Sequence, residues 1–233
     1  GGKALLFENT GTDYPVLMNM MGSDARMAMA LGVDSLDDIT KRIDSLVSGV
    51  MSPKSSLWEK LQMLPLLKDV AQWFPTRSTS RGECQQVVWR GEDVDLRRLP
   101  ILTSWPSDGG PFITLPMVAT VDPESGTHNL GMYRMQVLDK STTGMHWHRH
   151  KTGARHYDAY KRLGRRMPVS VALGGDPAYI YSATAPMPDN MDEMLLAGML
   201  RQRAVKMVKC LTNELWVPAD CDFVLEGYVD PME

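Results

Sequence analysis

The stretch PFITLPMVATVDPESGTHNLGMYRMQVL, residues 111–138, decides the fold class. Apolar and β-branched residues fill both halves, and Asp122-Pro-Glu-Ser-Gly126 between them has the residues that turns favour. Antiparallel strands joined by a short turn are predicted. The same signal recurs in CQQVVW, GMHWHRH, MPVSVALGG and AVKMVKCL, with another turn at Asp139-Lys-Ser-Thr-Thr-Gly144. The chain after residue 82 therefore reads as a mostly antiparallel sheet or small barrel. One helix interrupts it, over 191–203, where Met194, Leu195, Leu196, Ala197 and Leu200 form a broad apolar stripe.

Before residue 82 the pattern differs. Ala4–Phe7 and Val16–Met18 read as short strands. Ser23 can cap a helix through Leu31 that Gly32 ends, and Ser35 can cap another, with Leu36, Ile39, Ile43, Leu46 and Val47 on one face before Gly49. The segment from Pro53 to Arg81 includes the weakly helical LWEKLQMLPLLKDV, and PTRSTSRGEC marks a boundary. The expected architecture is α+β: a partial N-terminal α/β lobe over 1–82, then a sheet-rich domain over 83–233. The chain opens in GGKALLFENT without an initiator Met and stops in LEGYVDPME, so both ends are expected to be cut.

The composition is that of a globular protein, 43% hydrophobic and 23% charged. A net charge of −3 argues against nucleic acid or an acidic membrane as the main partner. Three cysteines, Cys84, Cys210 and Cys221, form no CxxC pair and read as buried or incidental thiols in a reducing compartment. No apolar run reaches the ~18 residues of a membrane helix, so the expected location is cytoplasmic.

TTGMHWHRHKTGARHY, residues 142–157, holds four of the five histidines. On a strand, His146, His148 and His150 would share one face, with Trp147 and Arg149 on the other. Zinc is then the first guess. Neighbours ~7 Å apart could share an ion, but the outer pair could not, so at most two would serve; an exposed polar face is the alternative. Arg149 to Arg155 concentrates donors around Gly153, either a phosphate grip or a solvated basic turn. Asn129 is an oxygen ligand suited to a hard cation or a turn cap, and Arg134 a fork for a carboxylate or a surface residue. Five apart, they face opposite sides of a regular strand unless a bulge, expected at Gly131, intervenes. Glu193 reads as a capping-box residue or as a metal ligand at a helix N-terminus.

Taken in order, DVDLRRLPILTSWPSDGGPFIT, NLGMYR, MHWHRH, MPVSVALGGDPA, APMPDNMDE and VKCLTNELWVPADCDFVLEGY resemble the UbiD family of reversible decarboxylases. The resemblance implies a split β-barrel domain that binds prenylated FMN with Mn²⁺ or Mg²⁺ and often K⁺. It implies Asn129, His150 and Glu193 as metal ligands, and Met132, Tyr133, Arg134, His146, Trp147, His148, Lys151 and Thr152 as cofactor contacts. Arg134 would also be catalytic, orienting the substrate carboxylate. His-Trp-His and Arg-His-Lys-Thr stand where the family commonly has Arg-Trp-Leu and Ser-His-Arg-Gly, so backbone contacts carry over better there than side-chain contacts.

The family's proton-donating acid lies beyond Glu233, so this chain is expected not to turn over by itself, and Glu226 reads as a structural carboxylate. The implied substrate is an aromatic acid: a 4-hydroxy-3-polyprenylbenzoate on the ubiquinone route or a hydroxynaphthoate on the menaquinone route. Implied partners are a flavin prenyltransferase that supplies the cofactor, a second copy of the full-length chain, and a membrane surface met through a prenylated substrate. A flavin-binding module without chemistry and a HxH zinc hydrolase are the readings from other classes.

Overall fold

The structure, a computed structural model, describes residues 1–51, 64–185, 187 and 192–232. The hairpin that alternation predicts is present. Strand β5 (Met117–Val121) pairs antiparallel with β6 (His128–Met132), from Met117 opposite Met132 to Val121 opposite His128. Asp122 builds the turn, its Oδ1 accepting the Glu124 N–H at 2.9 Å and its Oδ2 the Ser125 hydroxyl at 3.0 Å. The register runs without a bulge, so Gly131 does not bend the strand as expected. The glycine instead makes room for Tyr133, because a Cβ there would stand 2.3 Å from the phenolic oxygen.

β9 (Met167–Leu173) pairs with β5, and β12 (Phe223–Val229) pairs with β9, giving the antiparallel order β12-β9-β5-β6. A second sheet joins β4 (Phe112–Ile113), β7 (Met135–Val137) and β8 (Thr143–Met145) in the order β4-β7-β8. A third joins β11 (Trp216–Pro218), β10 (Lys206–Lys209) and β3 (Thr76–Ser78), with β3 parallel to β10. β1 (Leu5–Phe7) and β2 (Val16–Met18) form a separate hairpin. The fold is α+β, and among the described residues no sheet closes on itself.

Six helices accompany the sheets among the described residues. Near the N-terminus are α1 (Asp24–Ala30), capped by Ser23, α2 (Asp37–Met51) and α3 (Leu64–Trp73). Then come α4 (Thr152–Arg162), α5 (Pro177–Thr184) and α6 (Glu193–Arg201). Alternation along the strands sends Met117, Ala119, Leu130 and Ala172 against Tyr179 and Ala183 of α5 and Met194 and Ala197 of α6. The opposite face sends Val118, Val169 and Val171 toward Tyr133 and Tyr160 of α4. The sheet is thus covered on both faces. Arg201 secures the far end of α6: its side chain is 8% exposed, and its Nε lies 2.7 Å from Asp176 at the cap of α5. Asn190 and its immediate neighbours lie outside the described residues, as do residues 53–63 at the start of the segment from Pro53 to Arg81. No helix among the described residues is long and apolar enough to cross a membrane.

Two local expectations are corrected. CQQVVW is not a strand: a 3-10 turn occupies Glu83–Gln85, and the buried Gln85 amide donates to the Lys209 carbonyl at 2.7 Å. The histidine stretch is not a strand either. The ladder stops after His146 N–H donates to the Arg134 carbonyl, because Trp147 N–H turns back to Met145 O at 3.2 Å. The basic flank opens as a turn over 149–151, where Lys151 N–H donates to the His148 carbonyl at 3.0 Å, and continues into the first turn of α4, whose buried Gly153, His156, Ala159 and Tyr160 recur at helical spacing.

Helix α6 crosses α3 closely at Gly198, where a Cβ would stand 2.0 Å from the Trp73 carbonyl oxygen. Gly198→Ala is expected to destabilise the chain by about 1–3 kcal/mol despite alanine's better helix propensity. Gly227→Ala, whose Cβ meets nothing within 4 Å, is expected to stay within about 0.5 kcal/mol of the parent. Urea denaturation of the two variants checks both values.

Candidate cofactor and metal site

Strand β6 is the edge of its sheet, so it presents unpaired N–H groups to whatever covers it. Helix α6 covers it with its tip. Asp192 caps the helix by accepting the Met194 N–H at 2.8 Å, which leaves the next residue free to reach outward. Glu193 does so, and its Oε2 accepts the Leu130 N–H at 3.0 Å. Burial pushes the Glu193 carboxyl up to about 6, although the Leu130 amide opposes the shift.

Asn129 precedes Leu130 on β6 and faces the other way. Its Nδ2 donates to Tyr133 Oη at 3.4 Å, leaving Oδ1 as the atom for a ligand. The same hydroxyl accepts the Gly153 N–H at 3.2 Å, which fastens the first turn of α4 beside β6. Lys151 holds the capping position of α4 but supplies no side-chain acceptor, so the helix opens with amide hydrogens and the positive end of its dipole toward an anion. Asn129, Thr152 and Glu193 line one cleft of about 470 Å³, together with Asp122, His128, Arg155 and His156.

The remaining predicted residues divide. Tyr133 is buried beneath the cleft, with Trp147 packed edge-on at 6.3 Å, and Met132 packs into the core on the opposite face. Trp147 Nε1 is buried without a hydrogen-bond partner among the described residues. His146, His148 and His150 are exposed and stack, with ring centroids 5.1 and 5.7 Å apart and planes within 28° of parallel. Stacked rings aim their nitrogens side by side rather than at one point, and no trio of His, Cys, Asp or Glu among the described residues could hold a metal. The zinc guess is therefore withdrawn. His150 does not line the cleft that Asn129 and Glu193 share, and neither does Arg134.

Arg134 lies just past the end of β6, where the chain crosses to β7. Its Nη2 donates to Asp108 Oδ2 at 3.1 Å, and the guanidinium sits 3.8 Å from the Phe112 ring centroid. Asp108, 15% exposed, also accepts the Trp105 N–H at 3.2 Å. No spacing marks Asp108 as this partner; the turn-forming SDGG string around it is the signal the sequence offers. Glu226 is taken up by the turn after β10, accepting the Leu211 and Thr212 N–H groups, which agrees with a structural carboxylate.

Comparison with known proteins bears on the family and the fold. Residues 76–233 match the family model of the 3-octaprenyl-4-hydroxybenzoate carboxy-lyase Rift-related domain, and residues 1–46 match that of the N-terminal domain of the same carboxy-lyase. An uncharacterized protein of Aquifex aeolicus is 47% identical over 100% of this chain and 47% of its own length, and one of Archaeoglobus fulgidus is 46% identical over 98% and 46%. The solved structure of the UbiD-class enzyme HmfF from Pelotomaculum thermopropionicum in complex with FMN superposes with a TM-score of 0.77 at 26% identity, covering 98% of this chain and 46% of that one. Vanillic acid decarboxylase of Sedimentibacter hydroxybenzoicus in its closed form gives 0.75 at 25% identity, over 95% and 44%. Flavin-binding carboxy-lyases are thus the class that this fold resembles. The chain belongs to the UbiD family, and it spans about half the length of the curated relatives it matches.

The cleft wall gives a pH dependence. His156 Nδ1 and Thr120 Oγ1 are hydrogen-bonded at 2.9 Å, and burial, with the nearby Arg155 charge, lowers the imidazole's affinity for a proton against the pull of Asp122. A depressed histidine favours the fold while neutral, so its contribution is complete above the ordinary value near 6.5 and is lost as pH falls below it. Urea midpoints at pH 7.5 and 5.5 are expected to fall more for the parent than for His156→Gln.

Proposed function

We propose that this chain is the cofactor- and metal-binding part of a non-oxidative decarboxylase acting on an aromatic carboxylic acid. The cleft carries the reading: a helix N-terminus without a side-chain cap from Lys151 opens beside an amide and a half-buried carboxylate. Such a set suits a phosphate bridged to a hard divalent cation such as Mn²⁺ or Mg²⁺. Asn129 Oδ1 and Glu193 would hold the cation, and the first turn of α4 would hold the phosphate of prenylated FMN. His150, outside the cleft, is not assigned a ligand's role. The sheets of residues 83–233 serve in this reading as the split barrel that carries the flavin, with 1–82 as part of a flanking lobe.

The bound cofactor would supply an electrophilic carbon that accepts the electron pair released as CO₂ leaves. The chain's own residues do the positioning. Arg134, always charged and tied to Asp108 through one nitrogen, keeps further N–H donors for a substrate carboxylate. Phe112 beneath the guanidinium and the Asp108 carboxylate fix its direction before substrate arrives. The proton for the product carbon would come from an acid beyond Glu233. A hydroxybenzoate carrying a prenyl chain is the preferred substrate class, with a hydroxynaphthoate next. A prenyltransferase would supply the cofactor, and the full-length protein would assemble with copies of itself.

Fluorescence titration with FMN, with and without Mn²⁺, tests the site. The parent should bind FMN more tightly with Mn²⁺, and Asn129→Ala and Glu193→Ala should each weaken metal-dependent binding by about 10-fold or more. Arg134→Ala should leave FMN and Mn²⁺ binding nearly intact while abolishing CO₂ release by the full-length protein loaded with prenylated FMN. FMN binding that ignores both the metal and Glu193 would sink the proposal. Metal-dependent binding with no CO₂ release from any aromatic acid by the loaded full-length protein would favour a flavin-binding module without chemistry.

A further inference from the structure

Two of the three thiols, remote from each other in sequence, meet at a place where neither lines the cleft. Residues 82–84 run so close to the corner between β11 and β12 that a Cβ on Gly82 would stand 2.6 Å from the Ala219 carbonyl oxygen. Cys84 N–H donates to that same oxygen at 3.1 Å, and Cys221 follows two residues later. Cys221 Sγ donates to the Pro218 carbonyl at 3.1 Å, and Cys84 Sγ reaches the same oxygen at 3.7 Å. The two sulfurs therefore converge on one acceptor, the Pro218 carbonyl oxygen. Cys210 is turned elsewhere, its Sγ donating to Ser170 Oγ at 3.2 Å.

We propose that Cys84 and Cys221 form an oxidisable dithiol, a modification site that closes to a disulfide when a peroxide reaches it. The two positions differ in the way such chemistry needs. Cys84 is half-buried and open to a small oxidant, whereas Cys221 is 3% exposed and waits behind it. The neighbouring Cys221 thiol lowers the Cys84 thiol's hold on its proton, while the Cys84 sulfur and burial keep the Cys221 proton on. An accessible thiolate backed by a second thiol is the arrangement that captures a sulfenic acid before further oxidation.

The atoms balance. The Cys84 thiolate attacks one peroxide oxygen and the O–O bond breaks, leaving Cys84 as sulfenic acid and a hydroxide that is protonated to water. Cys221 sulfur then attacks Cys84 sulfur, the S–O bond breaks, and the departing hydroxide leaves as a second water with the Cys221 proton. The two thiols lose two electrons and the peroxide gains them. The bridge would staple the segment that leaves β3 onto the β11–β12 corner, closing a loop that contains the whole cleft. This inference does not depend on the carboxy-lyase reading.

The test treats the reduced chain with a small excess of hydrogen peroxide at neutral pH, alkylates it under denaturing conditions and maps its peptides by mass. The expected product is about 2 Da lighter, carries a Cys84–Cys221 linked peptide, keeps Cys210 alkylated, and reverts with dithiothreitol. Cys210→Ser should retain the bridge, and Cys84→Ser and Cys221→Ser should each lose it. Three alkylatable thiols after treatment, Cys84 driven on to a sulfinic or sulfonic acid, or a bridge through Cys210 or between two chains would each overturn the proposal.

Discussion

The burial of one phenol organises the site. Tyr133 stands where the chain leaves one sheet for another, and its ring fills the space under the cleft. The packing is tight enough that both neighbouring backbones must be glycine: a Cβ on Gly131 would strike the hydroxyl at 2.3 Å, and one on Gly153 would sit 2.9 Å from Trp147 Nε1 and 3.1 Å from the Tyr133 ring. A buried hydroxyl needs partners. Here they are Asn129 from the strand and the Gly153 amide from the helix, so satisfying one polar group also sets the distance between two elements of the site.

The opposite side of the cleft follows a second necessity. An edge strand with free N–H groups has to be covered or wetted, and α6 covers β6 with a carboxylate at its tip. That carboxylate is held back from ionising by burial, which costs the fold something and leaves a site where a cation would be welcome. The far end of α6 is fixed independently through Arg201 and Asp176, so Glu193 is presented by an anchored helix rather than by a loop. Arg134 is prepared in the same manner, since an arginine stacked on Phe112 and tied to Asp108 has little orientational freedom left to lose.

The histidine-rich stretch shows how a strong local pattern can mislead. Alternate histidines suggested a strand face and a metal, yet the ladder ends at His146 and the next residues turn into α4. The rings still align, by stacking on one another rather than by the pleat. The helix is legible in the recurrence of Gly153, His156, Ala159 and Tyr160 at helical spacing, a periodicity masked by the density of basic residues around it. CQQVVW failed for a different reason. Its β propensity yields to the docking of residues 82–85 on β10 and β11, and propensity for strand is weak against such contacts.

Alternation along residues 111–138, the turn at Asp122 and the cap at Ser23 are local properties, and the sequence alone was enough to place the central hairpin and several helices. Motif strings were enough to mark Asn129, Arg134 and Glu193 as residues to follow. Which of them meet was a tertiary matter. Asn129 and Glu193 share a cleft because an edge strand is covered by a helix tip 63 residues away in the chain, while His150 and Arg134 fall outside it. The same holds for Asp108 beside Arg134 and for Cys84 beside Cys221: no spacing rule joins residues brought together only by the stacking of separate elements.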